Sequence, residues 1–98
     1  MFDIGQIRQI ELGVIAGIDV SIYAKPEFDC MQMWEIRDGL EEGYDVSIYA
    51  KPEFDSEQMQ QIAWGMVCGL NVSVYANPEF SWERMETIRL RLSKEKNK

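Results

Sequence analysis

The sequence predicts an α/β repeat solenoid in which four parallel helices alternate with three parallel strands. Three observations carry that expectation. A ten-residue string, DVSIYAKPEF, stands at 19–28 and again at 45–54, and returns as NVSVYANPEF at 71–80, each 26 residues after the last. Each string is followed by a helix-start signal and an apolar helical face. Each also contains a five-residue segment rich in β-branched and aromatic residues, the composition that fits a pleated strand.

Self-similarity at a fixed period of this length is the signature of a stacked repeat architecture. Phe28, Phe54 and Phe80 close the three strings, and Phe2 lies one period earlier, so the chain opens in phase. The chain reads as a single repeat domain over 1–98, with units 2–27, 28–53, 54–79 and 80–95 and a polar tail at 94–98.

The helices come first in each unit. Asp3, Asp29, Asp55 and Ser81 are N-cap residues. Gln6, Gln32 and Gln58 follow three positions later and complete a capping box, while Arg84 breaks it in the fourth copy. The Phe before each cap faces Ile7, Met33, Met59 or Met85 as a hydrophobic staple. Ile10, Ile36, Ile62 and Ile88, then Val14, Leu40, Met66 and Leu92, extend one apolar face at helical spacing. Gly17, Gly43 and Gly69 stand where a helix ends; the fourth copy has Glu95 and is expected to fray. A second glycine column, Gly13, Gly39 and Gly65, has two readings: room for the next repeat to approach, or an early helix end.

The strands are expected in the segments 20–24, 46–50 and 72–76. Val20, Ile22 and Ala24 alternate with Ser21 and Tyr23, and pre-proline residues favour extended backbone. A helix of about 12 residues is about 18 Å long and a strand of five about 17 Å, so the chain can go out as helix and return as strand. The rival is an all-α solenoid with short helices in place of the strands: Val20, Tyr23 and Ala24 also fit helical spacing, and Asp19 is suited to cap one turn.

A tandem unit of DVSxYAxPEF followed by QMxxIRxGL resembles repeats of uncharacterised bacterial proteins, often carried on mobile elements or found in gut communities. That likeness covers nearly the whole chain and implies no activity. A looser likeness, through Asn77-Pro78, is to the variant form of leucine-rich repeats. The leucine consensus is absent, so it implies only a solenoid.

The chemistry of enzymes is thinly represented. Histidine is absent, which removes histidine-based triads and the usual imidazole zinc sites. Gly13 and Gly17 lack the lysine and strand of a phosphate loop. The carboxylate rows Glu27, Glu53, Glu79 and Asp19, Asp45 read as solvated turn residues. Cys30 and Cys68 are expected to be free thiols, too far apart on parallel helices to bridge. No catalytic activity, cofactor or metal is expected. No apolar run is long enough for a membrane helix and no signal peptide is recognisable, so the expected location is the cytoplasm.

Residues 1–82 carry 14 acids against 4 bases, and residues 83–98 carry 6 bases against 3 acids. An acidic body repels phosphate backbones, so direct nucleic-acid binding is not expected and a protein partner is. If the strands form, Tyr23, Tyr49 and Tyr75 make an exposed aromatic ladder, a surface suited to protein recognition; the alternative is that they pack repeat on repeat. Residues that break the repeat carry more information. Trp34 aligns with Arg8, Gln60 and Glu86, and Trp64 with Leu12, Asp38 and Leu90. Both read as contacts of an apolar patch on the helix side, against the bland reading of gap-filling at the core edge. Apolar Ile4, Ile15 and Leu90 on the end helices allow a homodimer through the solenoid ends. The function these features imply is a protein-interaction module. The alternative is a small phage or mobile-element inhibitor, anti-CRISPR-like, that uses its acidic body to occupy a basic groove.

Overall fold

The computed structural model describes residues 1–97. Among them there are helices and turns and no strands: α1 Ile4–Ile15, α2 Cys30–Glu41, α3 Ser56–Val67 and α4 Trp82–Lys96, separated by single-turn 3-10 helices at Val20–Ile22, Val46–Ile48 and Val72–Val74. The predicted α/β architecture is therefore corrected to all-α. The repeat and its helices stand, and the helical alternative for the VSIYA segments is the arrangement found.

Local hydrogen bonding explains why these segments turn. The Asp19 carboxylate accepts from the Ser21 amide at 3.1 Å and its hydroxyl at 2.6 Å, the local competition by which Asp and Ser draw a backbone away from a sheet ladder. The Asp45 carboxylate does the same with Ser47. The Val20 carbonyl then accepts from both Tyr23 and Ala24. A turn from Lys25 to Phe28 follows, closed by a 3.1 Å bond, with Pro26 at the position that suits its fixed φ.

The helix ends follow the sequence closely. Asp3, Asp29 and Asp55 form complete capping boxes with Gln6, Gln32 and Gln58, and Ser81 caps α4 alone. Gly17, Gly43 and Gly69 have φ of +78°, +83° and +71°, the left-handed region that ends a helix in a Schellman motif. In that motif the amide of Ile18 reaches back to the Gly13 carbonyl, Tyr44 to Gly39 and Leu70 to Gly65. The fourth helix has no such glycine and, rather than fraying at Glu95, runs on to Lys96. Lys96 Nζ donates to the Cys68 carbonyl at 2.8 Å, placing a cation on the carbonyl end of α3. The remainder of the expected polar tail, Lys98, lies outside the described residues.

The same glutamines stitch the repeats together. While Oε1 of Gln6 accepts from the Asp3 amide, Nε2 donates to the Phe28 carbonyl of the next unit at 2.6 Å. Gln32 reaches Phe54 at 2.6 Å and Gln58 reaches Phe80 at 2.7 Å. Starts of neighbouring helices thus meet starts and ends meet ends, so the helices run parallel in a slab 45 × 26 × 16 Å. Met33, Met59, Met85, Ile36 and Ile62 are sealed between consecutive helices. Ile7, at the position of those methionines but with no repeat before it, stays 43% exposed.

The tyrosines require a second correction. Tyr23, Tyr49 and Tyr75 are 0% exposed and form no outward ladder. Each folds back under its own helix and donates its hydroxyl to a helix carbonyl: Gln9 at 2.7 Å, Glu35 at 3.4 Å and Gln61 at 2.6 Å. The second glycine column accommodates them. A Cβ on Gly13, Gly39 or Gly65 would lie 2.1 Å from the tyrosine Oη. The space is therefore made for the unit's own tyrosine, not for the next repeat, and the helix continues past the glycine.

Two stability measurements check this account. Gln32→Glu keeps the capping acceptor but removes the donor to Phe54, so denaturant unfolding should show a loss of about 1–3 kcal/mol. Arg84→Gln, where no following unit takes a donor, should change stability by less than about 0.5 kcal/mol. Gly39→Ala should destabilise by about 1–3 kcal/mol, despite the better helix propensity of alanine. Tyr49→Phe in the same chain should recover part of that loss, as a double-mutant cycle reads directly.

Candidate functional site

The repeat-breaking tryptophans meet at one place. Trp34 on α2 and Trp64 on α3 flank a groove of about 360 Å³ between the two helices. They are 38% and 43% exposed, so a large part of each indole is open to solvent. A larger hollow, about 540 Å³, is lined only by residues of α4 and its C-cap Asn97 and brings no two elements together.

The groove is acidic as well as aromatic. Glu35, Asp38 and Glu42 line it, and no lysine or arginine does. Glu35 is 7% exposed because it lies at the position of Gln9 and Gln61, on the face of α2 that packs toward α3. Burial pushes its carboxyl up to about 7, and Asp38 one turn on pushes the same way. No donor among the described residues bonds its carboxylate. Other shifted groups have simpler causes. Burial raises the Tyr75 phenol to about 12, and the serine bonds hold the Asp19 and Asp45 carboxyls below their ordinary range.

The five residues singled out from sequence divide cleanly. Trp34 and Trp64 are brought together at the groove. Tyr23, Tyr49 and Tyr75 are placed in the core, out of reach of a partner. Sequence reasoning missed Glu35, Asp38 and Ala63, all at the groove. Their signal was present: Glu35 interrupts a column of Gln9 and Gln61, and Ala63 interrupts one of Arg37 and Arg89. Cys30 is partly buried and Cys68 exposed, both free. Among the described residues, no group of three or more acids and cysteines is placed to hold a metal ion. No helix among them is long and apolar enough to cross a membrane.

Compared with protein-family models, with curated proteins and with solved structures, the chain matches none.

A raised carboxyl has a definite consequence for stability. The folded chain holds a proton that the unfolded chain releases from about pH 4 upward, so stability falls as pH rises through the window between that value and about 7. The shift corresponds to about 1–2 kcal/mol once solvent screening of the partly open carboxyl is allowed for. Glu35→Gln should match the wild type at pH 4 and exceed it at pH 8, by up to that amount, in denaturant titrations at the two pH values. A gain of equal size at both would show that Glu35 does not titrate in this way.

Proposed function

We propose that this protein is a non-catalytic protein-interaction module, acting in the cytoplasm, whose docking face is the α2–α3 groove. The observation that carries the reading is the pair of half-exposed tryptophans, Trp34 and Trp64, on the two walls of one groove. Structure alone does not require tryptophan at either place, since the equivalent positions hold Arg8, Gln60 and Glu86, or Leu12, Asp38 and Leu90. Tryptophan at the centre of a recessed surface is the residue most often found to dominate binding energy. A parallel helical array also offers such a groove on a rigid frame, with little order to be gained on binding.

A second reading draws on the turn side of the molecule. Glu27, Glu53, Glu79, Asp19 and Asp45 are all exposed there, which supports an inhibitor that presents an acidic surface to a basic, nucleic-acid-handling protein. Self-association through the solenoid ends has a motive of its own. Ile4, Ile7, Val14 and Ile15 are exposed on α1, and Leu90 on α4.

Immobilised protein, incubated with bacterial lysate at low and high salt, tests these readings against a Trp34→Ala, Trp64→Ala variant that keeps its helical circular dichroism. A specific protein held by wild type, with affinity reduced about 30-fold or more in the variant, is the expected result. Basic proteins that bind both forms equally and wash off with salt would favour the acidic-inhibitor reading instead.

A further inference from the structure

Two of the three helix–helix interfaces carry an arginine in the same register. Arg37 on α2 reaches back to α1, its Nε donating to Gln9 Oε1 at 2.9 Å, and also pairs with Glu41. Arg89 on α4 reaches back to α3, its Nε donating to Gln61 Oε1 at 2.9 Å, with its guanidinium 5.3 Å from the centre of the Trp64 ring. One period before Arg89 and one after Arg37, α3 has Ala63. The α2–α3 interface is thus the one interface without its arginine.

The residues that would have faced that arginine have changed as well. Where α1 offers Gln9 and Leu12, and α3 offers Gln61 and Trp64, α2 offers Glu35 and Asp38. The internal cation is gone and two carboxylates stand in its place. Glu35 is 7% exposed and lines the groove, and no described residue donates to its carboxylate, whose oxygens are open to the groove rather than sealed in the core.

We propose that the α2–α3 groove is a receptor for an arginine side chain of a protein partner, which occupies the place that Arg37 and Arg89 fill in the other two interfaces. The guanidinium donates to Glu35, is balanced by Asp38, and lies between the indoles of Trp34 and Trp64. Arginine fits better than lysine for physical reasons. Its planar fork matches a carboxylate and stacks on an aromatic face, and it is less strongly hydrated than an ammonium group. The molecule itself uses arginine at both equivalent places, once over Trp64. The assignment deepens the docking reading and, as a statement about a partner, rests on it.

The test uses N-acetyl-arginine methylamide, its lysine counterpart and NMR of the full chain. Saturable shifts of the Trp34 and Trp64 indole N–H signals, with Trp82 unmoved, are expected for the arginine probe, with the lysine probe weaker by about tenfold. Glu35→Gln should weaken arginine binding by about tenfold or more; it places in α2 the residue that α1 and α3 already carry there, so folding is preserved. Ala63→Arg should supply the missing guanidinium from within, abolish probe binding and raise the melting temperature. Shifts that do not saturate, that are equal for the two probes, or that survive Glu35→Gln overturn the proposal. The two readings fail separately. Tryptophan-dependent partner capture that is unaffected by Glu35→Gln and Ala63→Arg removes the arginine assignment and leaves the docking face. Specific arginine binding without tryptophan-dependent capture removes the docking face and leaves the cation site.

Discussion

The fold depends on one side chain used in two directions. The glutamine at the third helical position accepts from its own N-cap amide and donates to the carbonyl that precedes the next N-cap. The first bond is local and sets where a helix starts. The second crosses 22 residues and sets where the following helix starts relative to it. Gln6, Gln32 and Gln58 are all buried, so a side-chain amide group left unpaired there would carry a desolvation penalty. A glutamate satisfies the first requirement and not the second. A capping box made with glutamine at three successive positions is therefore a statement about stacking as well as about helix initiation.

The second constraint lies within the unit. Gly13, Gly39 and Gly65 each give up a side chain so that a tyrosine ten residues later can reach a helix carbonyl. The helices were legible because their information is local: cap, box, staple, apolar face and terminal glycine occupy one continuous stretch. The segment Val20 to Ala24 was not, because five residues satisfy a period of two and a period of three and a half equally well. What decides between them is the pairing of Gly13 with Tyr23 and the grip of Asp19 on Ser21. The first of these is a contact across the unit that no local pattern displays. The exposed tyrosine ladder fell with the strands, since turning the segment through one helical turn brings Val20, Tyr23 and Ala24 to the same inward side.

The groove was half legible for a related reason. Trp34 and Trp64 announce themselves because a large aromatic residue is conspicuous in a polar or mixed column. Ala63 does not, since alanine in a helix needs no explanation. Its meaning appears only once Arg37 is seen to bond Gln9 and Arg89 to bond Gln61, each across 28 residues. A small residue then becomes an omission, and Glu35 becomes an acid facing that omission.

In a linear array, stability is close to a sum of unit terms and nearest-neighbour interface terms. The interfaces of α1 with α2 and of α3 with α4 each include a glutamine–arginine bond. The middle interface has instead a buried carboxyl that burial and Asp38 both make harder to ionise. The middle interface thus lacks the glutamine–arginine bond of its two neighbours, and it lacks it in the groove where the tryptophans stand. A carboxyl at this partly enclosed place is not required by packing, because Gln9 and Gln61 show that a neutral residue fits there. In proteins, local violations of this kind are concentrated where function rather than folding selects the residue. A cation brought to Glu35 from outside would favour its ionised form, which couples occupancy of the groove to the protonation of that carboxyl.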